Sequence, residues 1–132
     1  MGERAEQLAE RTCDRRAARY VEIVDWHEAI VAGAWMGKGY RSPSAWMSAA
    51  TGEPVGACRR MLHLGERLPL MPNVAELFRL GLVAEAAVGI VADVWHPSIA
   101  DAFERDEVLI ADWLRRYSFR DAKTKVETWA AI

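Results

Sequence analysis

The stretch SPSAWMSAATGEPVGACRRMLHLGERL, from Ser42 to Leu68, predicts a helix, a glycine turn and a second helix whose outward face is basic. Serine at position 42 is a favoured helix N-cap, and Pro43 fits the first helical position, where a missing N–H removes no hydrogen bond. Gly52 supplies the left-handed residue that ends this helix, and Pro54 begins a second one. The pattern predicts two helices joined by a glycine turn, the arrangement of a helix-turn-helix.

The spacing of apolar residues predicts which faces of these two helices are buried. In the first helix, Ala45, Trp46 and Ala49 lie three and four positions apart, so we expect them to face the core. In the second helix, the residues predicted to face the core are Cys58, Met61, Leu62, Gly65 and Leu68. The opposite, outward side of that helix carries Gly56, Arg59, Arg60, His63 and Arg67.

That outward side is suited to DNA. Arginine donates two parallel hydrogen bonds to guanine edges or to phosphates, and Gly56 near the helix start lets a DNA backbone come close. Lys38 and Arg41, just before the motif, are predicted to face phosphates. Weaker phosphate candidates near the end of the chain are Arg115, Arg116, Arg120, Lys123 and Lys125. The alternative is an ordinary solvated face in an αα-hairpin.

Charge is distributed unevenly. The net charge of −2, from 17 basic and 19 acidic residues, argues against an indiscriminate nucleic-acid binder. Counted by segment, residues 1–33 carry −2, residues 34–72 carry +3, residues 73–113 carry −6 and residues 114–132 carry +3. We call residues 73–113 the acidic block. If the two basic segments share a face, they form a phosphate-binding patch while the acidic block faces away or meets a partner.

The chain as a whole reads as one all-α domain, residues 1–132. It is 52% hydrophobic with six tryptophans, and no strand alternation or hairpin turn appears, which predicts a helical bundle of about six or seven helices. The expected order is a long N-terminal helix over 4–33, the helix-turn-helix over 42–68 and further helices over 72–132. The last group comprises a helix ending at Gly81, a helix over 83–94, one from His96-Pro97 to Tyr117 with a break near Arg105, and one over 119–132 capped by Ser118. The first half of the N-terminal helix has little to bury, so it either extends into solvent or packs on a second subunit in a homodimer.

Several function classes are not indicated. The sequence lacks the roughly 18-residue apolar run of a membrane span and an apolar signal region, so we expect a cytoplasmic protein. Two widely separated cysteines and three widely separated histidines, His27, His63 and His96, predict no metal site, and no nucleophile or nucleotide motif is present. Helical spacing spreads one acidic series around an exposed face: Asp101, Glu104, Asp106, Glu107 and Asp112. We therefore expect no catalysis, no cofactor and no small-molecule substrate.

The order of these motifs resembles a known family. The features are Trp35 before a glycine loop, RSPSAW over 41–46, CRRMLHLGERLP over 58–69 and AELFRLGLVAEAAVGIV over 75–91. Over about residues 20–129 the chain resembles the actinobacterial 13E12-repeat family, known as domain of unknown function 222, which commonly precedes an HNH endonuclease domain. The middle part is also similar to the DNA-binding core of ParB-type partition proteins, from which it departs at Glu53-Pro54 and at Ala84, where a Ser or Thr is usual.

The sequence therefore predicts a non-catalytic domain that binds double-stranded DNA through its helix-turn-helix, and the resemblance implies that a longer parent carries a nuclease. The alternative is a protein interaction or dimerisation module that uses the first helix and the acidic block to position an attached domain. The two hypotheses differ in what they require of the surface. A continuous positive face supports DNA binding, whereas pairing of the arginines with the acidic block favours the interaction module.

Overall fold

The computed structural model describes residues 2–132, which form a bundle of seven α-helices without a β-strand. The helices are α1 (Gly2–Val31), α2 (Pro43–Thr51), α3 (Val55–Arg67), α4 (Pro72–Arg79), α5 (Glu85–Val94), α6 (Ala100–Arg116) and α7 (Phe119–Ala131), with single 3-10 turns at Leu68–Leu70 and Pro97–Ile99. The predicted all-α bundle is confirmed. None of the helices in 2–132 combines the length and apolar character needed to cross a bilayer.

Helix α1 packs its second half against α3 and α4. Ile23 is fully buried, and Tyr20 meets Phe78 of α4 edge to face at 5.7 Å between ring centroids. The approach to α3 is close, because a methyl group on Gly65 would lie 2.7 Å from Cβ of His27. Residues 2–11, in contrast, are all exposed. Residues 2–11 therefore extend away from the bundle, whereas Cys13, in the same half of α1, lies against Gly81.

The helix-turn-helix forms where the sequence predicts it. The Ser42 hydroxyl accepts a hydrogen bond from the Ala45 N–H at 3.1 Å and caps α2. Gly52 adopts φ +78° and donates its N–H to the Ser48 carbonyl at 2.8 Å, which ends α2 and turns the chain. Because only glycine adopts this conformation without strain, Gly52 accounts for the turn.

The predicted inner face of α2 was wrong by one position. Ser44 and Met47 are buried, whereas Ala49 is exposed and Trp46 is half-buried against Trp26 of α1, with 5.4 Å between ring centroids. Met47 is fully buried. Its long, adaptable side chain fills more of the core than the alanines of the predicted face would. The tryptophan packs along the edge of the bundle instead.

Helix α3 runs through the centre of the core. Cys58, Met61, Gly65 and Leu68 are buried as predicted, Leu62 is half-buried, and Leu64, which sequence analysis left out, is fully buried. The predicted outward positions 56, 59 and 60 are exposed. The amphipathic pattern of α3 therefore seats it with one basic side facing out.

The C-terminal half differs from expectation in its element bounds. Gly81 closes α4 with φ +74°, and α5 begins at Glu85 rather than at 83. Helix α6 continues unbroken through Arg105, so the predicted break there was wrong. Its strong amphipathic pattern buries Phe103 and Ile110 on either side of that position, which keeps the helix continuous.

Glu107 of α6 is not part of an exposed acidic face. It is only 3% exposed, and its carboxylate accepts hydrogen bonds from the backbone N–H groups of Asn73 and Val74 at 3.0 and 2.8 Å, and from the Asn73 side-chain amide. These are first-turn donors of α4, which lacks a side chain of its own to cap them. Glu107 therefore caps α4 from another helix, and the predicted exposure of this residue was wrong.

Candidate nucleic-acid interface

The start of α3 presents the least obstructed part of the predicted interface. Arg59 is exposed, and no residue in 2–132 forms an ion pair or side-chain hydrogen bond with it. A methyl group built on Gly56 would meet nothing within 4 Å, so the backbone there is open to solvent. These two positions leave room for a partner to approach the first turns of the helix.

Arg60 and His63 both contact Asp93 on α5. Nη2 of Arg60 lies 3.3 Å from Oδ2 of Asp93, and Nε2 of His63 lies 3.5 Å from Oδ1. The guanidinium also lies over Gly89, since a methyl group there would stand 2.7 Å from Nη2 of Arg60. The Arg60 and Asp93 side chains are both 52% exposed. An ion pair with that much water around it contributes only about 0 to 1 kcal/mol.

Arg67, in the last turn of α3, is held by an aromatic ring. Its guanidinium carbon lies 4.8 Å from the ring centroid of Trp95, which follows α5 directly. Its Nε is shielded from solvent and makes no hydrogen bond within the described residues. Arg67 is thus half-buried and stacked, and less available to a ligand than its position in the sequence indicated.

Lys38 and Arg41 lie in the exposed loop between α1 and α2, in which Gly37 and Gly39 have positive φ. Arg41 immediately precedes the Ser42 cap, so it stands at the opposite end of α2 from the glycine turn. A helix of nine residues is about 13 Å long at about 1.5 Å per residue. Lys38 and Arg41 therefore precede α2, whereas Arg59 lies on α3, after the glycine turn at the other end of α2.

The five weaker phosphate candidates have varied surroundings. Arg116 pairs with Asp112 at 3.5 Å, and Nζ of Lys125 lies 4.6 Å from the ring centroid of Tyr117. The side chains of Arg115, Arg120 and Lys123 are exposed.

One cavity brings the two basic segments together. A cavity of about 510 Å³ between α3, α5 and α7 is lined by Arg60 and Lys123, one from each segment, but also by three carboxylates, Glu85, Asp93 and Glu127. Arg60 and Lys123 therefore line the same cavity, together with acidic residues.

Within residues 2–132 no three His, Cys, Asp or Glu side chains gather as a metal site. Three members of the acidic series of α6 have partners instead, and one of them, Asp112, is paired with Arg116. Besides Glu107, Asp106 accepts hydrogen bonds from Arg105 and from Nε1 of Trp129, and these contacts hold the pKa of Asp106 below its usual value. His96 accepts the Ser98 N–H and caps a 3-10 turn.

Sequence analysis missed the partners of the two charged residues in the apolar helix α5. Asp93 binds Arg60, and Glu85 at the other end accepts hydrogen bonds from Nε and Nη2 of Arg19 on α1 at 2.6 and 3.4 Å. This contact with Glu85 raises the pKa of the Arg19 guanidinium. Two acidic residues within a buried helix were the available signal that cations from other helices would meet them.

Comparison with protein-family models, with curated proteins and with solved structures gave no match to this chain. Arguments about its function therefore depend on the site itself.

Proposed function

We propose that this chain binds double-stranded DNA through α3, without catalysing a reaction on it. The observation that supports this most directly is the exposed, unpaired Arg59 beside the open backbone of Gly56, at the start of the second helix of a helix-turn-helix. The N-terminal residues of such a helix are the ones that reach base edges in the major groove. We keep the 13E12-repeat and ParB-type resemblances as hypotheses, and we further propose that the protein is cytoplasmic. The 13E12-repeat resemblance implies that a longer parent protein carries a nuclease.

In the proposed complex, Arg59 enters the groove while Lys38 and Arg41 neutralise phosphates near the start of α2. Arg60 and His63 take part by exchanging Asp93 for a phosphate. Because the solvated pair with Asp93 contributes only about 0 to 1 kcal/mol, its loss is a small cost. Charge-assisted hydrogen bonds to a phosphate would replace the contacts that Arg60 and His63 now make with Asp93.

A second function, a protein interaction module, is favoured by one specific observation. Asp93 belongs to the acidic block, and it is the residue that engages Arg60 and His63. Exposed apolar side chains that a partner would cover also exist on α6, where Val108 is 67% and Leu109 is 49% exposed. Under this hypothesis the internal pair shields the basic helix, and the domain positions an attached enzyme or dimerises through α1.

Fluorescence anisotropy with a labelled duplex over a range of salt concentrations tests the DNA proposal. We expect Arg59→Ala to weaken binding and to make the dependence of log affinity on log salt shallower by about 0.9 if Arg59 touches one phosphate. The matched control is Arg11→Ala, which removes another exposed arginine without an ion pair among residues 2–132, from α1. It should leave the affinity close to that of the unaltered chain.

Asp93→Asn separates the two functions. It frees Arg60 and His63 and removes a negative charge, so DNA binding should tighten by roughly 2- to 5-fold, since an exposed ion pair is worth up to about 1 kcal/mol. If the unaltered chain shows no duplex binding at low salt, where the electrostatic term is largest, the DNA proposal is wrong and the interaction module takes its place.

A further inference from the structure

A second basic cluster lies at the other end of α5, away from the contact between Asp93 and α3. Three arginines of α1 line a cavity of about 340 Å³ at this point. Its lining residues are Arg15, Arg16, Arg19, Phe78, Ala84, Glu85 and Ala86. Helix α1 supplies the cations, and the first turn of α5 forms the facing wall.

Arg19 and Glu85 neutralise each other within this cavity. Nε and Nη2 of Arg19 donate to the two carboxylate oxygens of Glu85, and Nη1 lies 3.4 Å from Glu22. The carboxylate that would otherwise repel an anion at the start of α5 is thus compensated. The remaining charge in the cavity is positive and belongs to Arg15 and Arg16.

Arg16 is a cation that the fold holds in place without a partner. It is half-buried, its Nε is completely shielded from solvent, and it makes no hydrogen bond or ion pair within residues 2–132. Because Nε is shielded, a ligand in the cavity would accept hydrogen bonds from the terminal Nη groups of this guanidinium, which form charge-assisted contacts with anions. Because packing already restricts the side chain, little ordering entropy remains to be lost on binding.

The backbone at the start of α5 adds donors of the same sign. Ala84 occupies the N-cap position and its side chain makes no cap hydrogen bond. The N–H groups of Ala87 and Val88 both bond to the Ala84 carbonyl, while those of Glu85 and Ala86 have no acceptor within the described residues. Free N–H groups and the helix dipole favour an anion at this position.

We propose that this cavity binds a phosphate group, held by Arg15 and Arg16 on one side and by the first N–H groups of α5 on the other. Phosphate is favoured because its several acceptor oxygens match both the forked donors of arginine and paired backbone donors. The group could belong to inorganic phosphate, to a phosphorylated small molecule or to a DNA backbone, and the chemistry is shared. This site does not depend on the proposed contact of α3 with DNA.

The test titrates the folded chain with inorganic phosphate, using chloride at equal ionic strength as the reference. The two readouts are the melting temperature and the Nε resonance of Arg16 in a nitrogen-proton spectrum. Phosphate should raise the melting temperature progressively and shift the Arg16 resonance, as expected for a ligand of the native state. Arg16→Gln should weaken phosphate binding by about tenfold, the loss expected for one charge-assisted hydrogen bond. The matched control, Arg11→Gln, removes an exposed arginine of the same helix and should not change it.

Ala84→Asp provides a second, independent arm. An aspartate at the N-cap supplies a carboxylate to the donors that the phosphate would use, so it should raise the melting temperature without phosphate and abolish the response to phosphate. Equal responses in Arg16→Gln and Arg11→Gln, a response that chloride reproduces, or an undiminished response in Ala84→Asp would each overturn the proposal. This arm also covers the case in which Arg16→Gln does not fold.

Adding a short duplex identifies the source of the phosphate. If the duplex shifts the Arg16 resonance and competes with inorganic phosphate, the bound group is a DNA phosphate. If it does neither while inorganic phosphate still binds, the site takes a small phosphate ligand. In either case the site stands, and absence of duplex binding by α3 leaves the result with inorganic phosphate unchanged.

Discussion

Replacement of Glu107 by glutamine tests the cap that joins α6 to α4. The amide keeps one carbonyl oxygen as an acceptor. Its NH₂ group must face the backbone N–H of either Asn73 or Val74, both of which now donate to the carboxylate. The lost charge-assisted hydrogen bond is worth about 1.5 to 3 kcal/mol, and loss of an anion at a helix N-terminus adds about 0.3 to 1 kcal/mol. We therefore expect the free energy of unfolding to fall by about 2 to 4 kcal/mol.

Thermal and urea unfolding followed by circular dichroism measure this change. At about 2.1 cal/mol/K of unfolding entropy per residue, a chain of 132 residues should lose roughly 7 to 14 °C of melting temperature. Glu104→Gln is the matched control, because Glu104 is exposed one turn earlier on α6 and should change stability by less than about 0.5 kcal/mol. Equal stability of the two variants would refute the assignment of Glu107 as the cap of α4.

Three further predictions concern the fold and the chemistry. Gly81→Ala should destabilise the chain by more than about 2 kcal/mol, because φ is +74° and the added methyl group would lie 2.2 Å from the Cys13 carbonyl oxygen; Gly56→Ala, in open space on a helix, should instead raise the melting temperature. In urea unfolding, Met47→Ala should lower the free energy of unfolding by about 2 to 5 kcal/mol, whereas Ala49→Ser should lower it by less than about 0.5 kcal/mol. The reverse order would show that Ala49, as predicted from the sequence, faces the core. Plasmid DNA incubated with the chain and Mg²⁺ or Mn²⁺ should stay uncut on a gel, and metal-dependent cleavage abolished by a single acidic substitution would contradict this.

Local signals predicted the helices and their order. Ser42, Gly52 and Ser118 determine helix ends through contacts with residues three or four positions away, so their effect can be recognised without knowing the fold. The rotation of α2 could not be recognised in this way. A short helix of small and apolar residues offers two faces of similar hydrophobicity, and only packing against α1 and α3 selects the one with Met47.

In the candidate site too, local patterns could be predicted from the sequence, whereas contacts between helices could not. The amphipathic pattern of α3 predicted that Arg59 and Arg60 face outward, and both do. That Arg60 would meet Asp93, or that Glu107 would cap α4, could not be deduced, because the partners are 33 and 34 positions apart and lie on different helices. Spacing along the chain indicates which side chains share a face, but not which helix will be placed opposite them.

The length of α1 has a consequence for how the molecule opens. Its 30 residues span about 45 Å at about 1.5 Å per residue, yet Ile23 is its one buried position and residues 2–11 are all exposed. Amides in those first turns depend on helix propensity alone, which is marginal in water, so they should exchange with deuterium almost as fast as in an isolated peptide. Amides around Ile23 should exchange only when the whole bundle unfolds. One continuous helix thus belongs to two cooperative units, and deuterium uptake should rise steeply along it towards Glu3.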